Sequence, residues 1–204
     1  MHLSFLGTTA IKIQTKPFDE DITVVIDAYR PKQGEFPRSL TPHIAIFTRG
    51  EAGSVTLSGN PFILAIPGEC EIKGVLMTAV EGQVEGTMMI RIDAEGLAIG
   101  HLGLVKQPLN AAQLEVMGEV DMLFVPVGGG DGYDAEAAVK AVNTIEPRIV
   151  IPMYYKSDND PSLADVKLFL KEMGSPAVAE EKKLIIKKKD LPQDETKVVV
   201  LGKE

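Results

Sequence analysis

Metal-ligating and cross-linking residues are scarce in this 204-residue chain, which has one cysteine, three histidines and no tryptophan. The single cysteine, Cys70, cannot close an internal disulfide, so nothing here points to an oxidising compartment. Three histidines leave few imidazoles for a zinc centre, which needs three or four converging donors. Basic residues are outnumbered, 21 Lys and Arg against 29 Asp and Glu, for a net charge of −8. That balance argues against nucleic acid, whose phosphates are gripped by clustered Lys and Arg. No apolar run approaches the roughly 18 residues of a membrane span. The opening Leu3-Ser4-Phe5-Leu6 follows no basic leader or small-residue cleavage site. A cytoplasmic protein is expected, with neither membrane nor nucleic acid as partner.

What is present is ordinary globular material: 45% hydrophobic and 25% charged residues. One domain over residues 1–204 is the expectation, with no solenoid-period repeat and no low-complexity linker. Short β-rich runs fill the first half: Leu3 to Leu6, Ala10 to Gln14, Ile22 to Asp27, His43 to Thr48 and Pro61 to Ile66. Glu71 to Val80, Thr87 to Ile92 and Leu97 to His101 continue the series. Asp93-Ala94-Glu95-Gly96 predicts a hairpin turn with Gly96 at positive φ, and Pro31 to Pro42 reads as a surface loop.

Helices are predicted only afterwards. Asn110 caps the first, with Gln113 three residues on and Leu114 and Met117 facing inward. Asp134 caps a second that uses Ala135, Ala138, Val139, Val142 and Ile145 and stops at Pro147. Ser162 with Asp165 opens a third, over Val166, Phe169, Leu170 and Met173, closed by Gly174 and Pro176. Between them, Met122 to Val127 and Ile149 to Met153 are continuous apolar strands of the doubly buried kind. Lys183 to Lys187 and Lys197 to Leu201 add two more strands. Strands first, then alternating helix and strand, predict an α/β fold with sheets sandwiched by helices.

Six segments in order resemble the metallo-β-lactamase fold hydrolases, in particular the small bacterial and archaeal zinc-dependent hydrolase branch. They are His2-Leu3-Ser4-Phe5-Leu6-Gly7 with Val24-Val25-Ile26-Asp27, then His43-Ile44-Ala45-Ile46-Phe47-Thr48, then Gly68 to Gly74. Gly96 to Gly103, Asp121 to Gly129 and Pro147 to Lys156 complete the series. The resemblance implies a four-layer αββα sandwich with a metal-site cleft at one edge of the sheets.

The departures from that pattern matter as much. The family's His-x-His-x-Asp-His motif would begin after Thr48, where its four ligand positions hold Arg49, Glu51, Gly53 and Ser54. No histidine follows between Val75 and Gly86, Leu104 stands where the family's bridging aspartate would be, and Tyr154 replaces its last ligand histidine. Glu51 alone keeps ligand chemistry, and one carboxylate does not hold zinc. The resemblance therefore implies a family member without metal ligands, its remnant cleft built from Asp27, Arg49, Glu51, Ser54, His101 and Tyr154. No catalytic residue, metal ligand or cofactor is expected; zinc enters only if the chain is instead a superfamily hydrolase with an altered site. The expected partner is a small anion on Arg49, whose fixed charge could replace that of the metal. The bland alternative for Arg49 is an ion pair with Glu51 or Asp27. Family members often self-associate, which leaves a homo-oligomer open.

Other features read plainly. His101 is expected to be a hydrogen-bonded structural histidine; Tyr154 and Tyr155 fill space beside the cleft; Cys70 is inert packing. Ser54 and Ser157 lack any triad signature. Gly128-Gly129-Gly130-Asp131-Gly132 matches neither phosphate-loop pattern and suits a strand-to-helix turn hugging the cleft. Lys182-Lys183 and Lys187-Lys188-Lys189 guard an apolar edge strand.

Overall fold

The computed structural model describes residues 1–175 and 177–204. Strands come first, as the β-branched runs dictate: β1 (His2–Gly7), β2 (Ala10–Thr15), β3 (Ile22–Ile26), β4 (Ser39–Leu40), β5 (Ile44–Ile46) and β6 (Thr56–Leu57). They continue with β7 (Phe62–Leu64), β8 (Gly68–Ile72), β9 (Val75–Glu81), β10 (Met88–Ala94) and β11 (Leu97–His101). Helix and strand then alternate through α1 (Ala111–Met117), β12 (Met122–Pro126), α2 (Ala135–Ile145), β13 (Ile149–Met153) and α3 (Val166–Glu172). Four short strands finish the chain: β14 (Glu180–Glu181), β15 (Leu184–Ile185), β16 (Lys197–Val198) and β17 (Val200–Leu201).

Two sheets carry the fold, a six-stranded one in the order β15-β1-β2-β3-β5-β7 and a seven-stranded one in the order β16-β13-β12-β11-β10-β9-β8. Period-two alternation sets their facing: Ile11 and Ile13 of β2 are buried while Gln14 is exposed. Inner-face residues such as Phe5, Ile13, Ile26, Met77, Ile90 and Phe124 join one core. Each such side chain stabilises the fold by about 1.5–3 kcal/mol when fully buried. β12 and β13 are buried at every position, as parallel strands covered on both faces must be. α1 packs on β9 and β10, and α2 on β12 and α3. The outer face of the six-stranded sheet, Leu6, Ala10 and Val25, is covered by Phe36, Leu40 and Leu57 from the loops that carry β4 and β6. This is an α/β sandwich of two facing sheets with helices outside, the architecture that the resemblance implied. No helix among the described residues is long and apolar enough to cross a membrane.

The structure differs from the sequence expectation at several places, each for a local reason; the run from Lys197 to Leu201, for one, is split into β16 on β13 and β17 on β14. The run from Glu71 to Val80 is not one strand: Lys73 (φ 53) and Gly74 (φ 76) form a two-residue turn that pairs Ile72 with Val75. The loop from Pro31 to Pro42 contains β4, paired in parallel with β6. The third helix starts one turn late, capped by the Asp165 carboxylate on the Lys167 amide, not by Ser162. The reason is backbone pairing, since Ala164 donates to the Gly128 carbonyl and accepts from the Lys156 amide, which holds this stretch extended. Pro176 lies outside the described residues.

Elsewhere the local chemistry sets the ends. Asn110 and Gln113 exchange side-chain-to-backbone bonds of 3.0 and 3.1 Å in a capping box at α1. Met117 is buried, Leu114 only half so, and it is Gln113 that turns inward to donate to the Glu81 carbonyl. Glu95 (φ 54) and Gly96 (φ 72) make the β10–β11 turn. Most important for function, β3 runs parallel to β5, and β11, β12 and β13 are mutually parallel. Their C-terminal ends deliver Asp27, Arg49, His101, the glycine turn and Tyr154 to one edge of the sandwich.

Candidate functional site

A cleft of about 590 Å³ opens at that edge, lined among others by Asp27, Tyr29, Arg49, Asp131, Tyr154 and Asp160. Asp27 follows β3 with a left-handed backbone (φ 54) and is 1% exposed. Its two oxygens accept from the Thr48 amide and the Thr48 hydroxyl, each at 2.7 Å. Hydrogen bonds to a charged group are worth about 1.5–3 kcal/mol each, which outweighs the roughly 1 kcal/mol of backbone strain in a residue type that tolerates this region.

Arg49 is seated on an aromatic ring. Its guanidinium carbon lies 4.4 Å from the Tyr29 ring centroid. The Tyr29 hydroxyl donates to the Gly50 carbonyl and accepts from the Arg49 amide, both at 2.9 Å. Tyr29 therefore fixes both backbone and charge of Arg49, and burial raises its phenol pKa further from physiological pH. Arg49 Nε is buried without an acceptor. Neither Glu51 nor Asp27 forms an ion pair with Arg49: the first is exposed, and the second is committed to Thr48.

His101, at the end of β11, is fully buried. The Gly103 amide donates to Nδ1 at 3.1 Å, so Nε2 carries the proton and donates to the Thr9 carbonyl at 3.0 Å. Burial pushes the ring below its ordinary pKa, against the pull of the Asp27 carboxylate. The imidazole is neutral and both nitrogens are occupied.

Tyr154 follows β13 with φ 51, its amide donating to the Thr8 carbonyl at 2.7 Å and its carbonyl accepting from Gly128 at 2.9 Å. Chiefly by burial, its phenol pKa is raised. Asp131 and Asp160 approach the same ring, and Asp160 accepts from the Thr8 hydroxyl at 2.8 Å. The glycine turn spends amides on itself, Gly129 on the Tyr133 carbonyl and Gly132 on Gly129, so it is a packed strand-to-helix turn.

Of the six residues expected at the cleft, the structure brings Asp27, Arg49 and Tyr154 together. Glu51 and Ser54 do not line it: Glu51 points to solvent, and Ser54 bridges to the Tyr29 backbone. His101 lies behind it, in the core. Sequence reasoning missed Tyr29 and Asp160. An aromatic two residues after the strand-ending Asp27 was the available signal for Tyr29; Asp160, in an irregular loop, gave none. Cys70 sits half-buried on the edge strand β8, with its thiol pKa raised by burial.

Comparison with known proteins gives this geometry a family. The β-lactamase superfamily domain matches residues 2–154. The chain belongs to the β-lactamase superfamily. Among solved structures, a Thermotoga maritima protein assigned to the Zn-dependent hydrolases of the metallo-β-lactamase superfamily superposes with a TM-score of 0.81 and 25% identity, covering 98% of each chain. Igni18, a metallo hydrolase of Ignicoccus hospitalis, shares the fold at a TM-score of 0.64 and 17% identity, over 85% of this chain and 90% of that one. A UPF0173 protein of Pyrococcus furiosus is 36% identical over 37% of this chain and 33% of its own length. A UPF0173 metal-dependent hydrolase of Thermococcus onnurineus is 33% identical over 42% of this chain and 38% of its own. The matched segments thus span little more than a third of these curated relatives.

Superfamily membership raises the question of a metal, and the donor set here does not fit one. A divalent cation needs several free lone pairs converging on a point. Asp27, held by Thr48, is a single carboxylate, and the histidine nearest it in the fold, His101, has both nitrogens occupied by Gly103 and Thr9. Tyr154 keeps its proton, and Arg49 is a permanent cation with no lone pair. Among the described residues no three His, Cys, Asp or Glu side chains come together in a metal-holding group.

Proposed function

We propose that this superfamily member binds a small anion in its cleft, with the Arg49 guanidinium supplying the positive charge that a metal supplies in a hydrolase, and that its role is binding without a resident cofactor. One observation carries the reading: a permanent cation seated on Tyr29, with a buried Nε lacking any acceptor. Because Arg49 lines the cleft, a carboxylate or phosphate that reaches its terminal nitrogens would make a charge-assisted, bidentate contact. The net charge of −8 supports the further expectation that nucleic acid is no partner. Cytoplasmic location, no membrane partner and a homo-oligomeric state complete the proposal, the last to be read by light scattering.

The experiment is ligand-induced thermal stabilisation by succinate and inorganic phosphate, in the wild type and in Arg49→Ala. The expected result is stabilisation lost in the variant while its circular dichroism spectrum stays native. Equal stabilisation of both proteins would remove Arg49 from the site. A second reading, a metal-dependent hydrolase of the superfamily with an altered site, is favoured by the names of the relatives. It requires donors other than those already committed to the fold, and stoichiometric zinc with chelator-sensitive hydrolysis would establish it.

A further inference from the structure

The cleft is electrically two-sided. The wall from the first half of the chain presents Arg30, Lys32 and Arg49, and the wall from the second half presents Asp131 and Asp160. Asp27, the one acid on the first wall, is spent on Thr48. No ion pair crosses between the two walls among the described residues. Asp160 takes only a neutral hydroxyl from Thr8, and Asp131 has Lys106 at 3.4 Å while remaining largely in solvent. Asn159, also lining the cleft, is 4% exposed; it ties its amide nitrogen to the Gln33 and Glu35 carbonyls and packs its buried Oδ1 against Gly7, so it braces the wall and offers the cleft no acceptor. One wall is thus rich in donors and the other in acceptors, with Tyr154 between them.

Opposite charges close in space ordinarily collapse into ion pairs. Here they face each other across about 590 Å³ without doing so. A simple anion on Arg49 would satisfy one wall and be repelled by the other, since like charges at short range cost energy in a half-enclosed site. A molecule carrying both signs satisfies both. Resting on the anion reading above, we propose that the cleft takes a zwitterion, its carboxylate on Arg49 and its ammonium against Asp160 and Asp131. A free amino acid and a short peptide present the same two groups at different separations.

The test is calorimetric titration and thermal shift of the intact chain with glycine, 4-aminobutyrate, 6-aminohexanoate and triglycine, against succinate and butylamine. At least one zwitterion should bind tenfold or more tightly than either control. At a concentration 100-fold above its Kd it should raise Tm by about 5–10 °C. Arg49→Ala and Asp160→Asn should each remove most of that preference, and Asp160→Asn should shift the order towards succinate. Asp131→Asn provides the same readout should loss of the Thr8 contact unfold the Asp160 variant. Whichever zwitterion fits best separates the amino-acid from the peptide source. Succinate binding as tightly as every zwitterion, with that binding lost in Arg49→Ala, would overturn the zwitterion and leave the anion site standing. No shift with any compound would overturn both.

Discussion

Lowering the pH from 7.5 to 5.5 should destabilise this protein through the buried ring of His101. Its ring is fully buried with both nitrogens bonded, and burial holds its pKa below the ordinary value. The unfolded chain has no such constraint, so there the ring titrates near 6.5. Below that pH the unfolded state binds a proton that the folded state refuses. Stability is therefore full above about pH 6.5 and falls as the pH drops, at up to about 1.4 kcal/mol per pH unit. Over this interval the loss is at most about 1.4 kcal/mol, which for a chain of this size lowers Tm by up to roughly 3–6 °C. The carboxylates held below their ordinary range, Glu95, Asp158 and Glu204, withdraw their stability only at more acid pH. Differential scanning calorimetry in matched buffers reads the slope, and His101→Gln, which packs but does not titrate, should be less stable at pH 7.5 yet nearly flat across the interval. A flat wild type, or an equal slope in the variant, would refute the buried, neutral, fully bonded histidine.

Asp27→Ala should cost about 2–5 kcal/mol, because two Thr48 donors lose their acceptor in a buried setting. Asp27→Asn, which tolerates the same left-handed backbone, should cost less, about 1–3 kcal/mol, by urea unfolding. A reversed order would mean that the carboxylate is not committed to Thr48. Gly128→Ala should cost about 3 kcal/mol, since its Cβ would strike the Tyr154 carbonyl and come within 2.8 Å of the Tyr155 Cα. A neutral substitution there would show that the glycine turn is not pressed onto Tyr154.

The parts of the fold legible in the sequence are those with strong local physics. Asn110 with Gln113, Asp134, and Glu95-Gly96 announced their caps and turn, and the unbroken apolar runs of β12 and β13 announced burial on both faces. Glu71 to Val80 concealed a turn because Lys73-Gly74 is a weaker signal than Asn-Gly, and the apolar alternation on either side continues through it. Ser162 misled because the competing interaction, pairing of Ala164 with Gly128 and Lys156, is tertiary. At the site, Arg49, Asp27 and Tyr154 were placed by the family resemblance of the segments that carry them. Tyr29 and Asp160 were not named, since their convergence depends on the two sheets meeting at one edge. Adjacency in the motif also overstated Glu51 and Ser54, which the turn after Arg49 carries away from the cleft.

Zinc content bears most directly on the claim that the remaining donors serve the fold and not a metal. Protein purified from zinc-supplemented culture and dialysed without chelator should carry well under one equivalent by elemental analysis. One equivalent or more, retained through dialysis and lost together with stability on chelation, would contradict it.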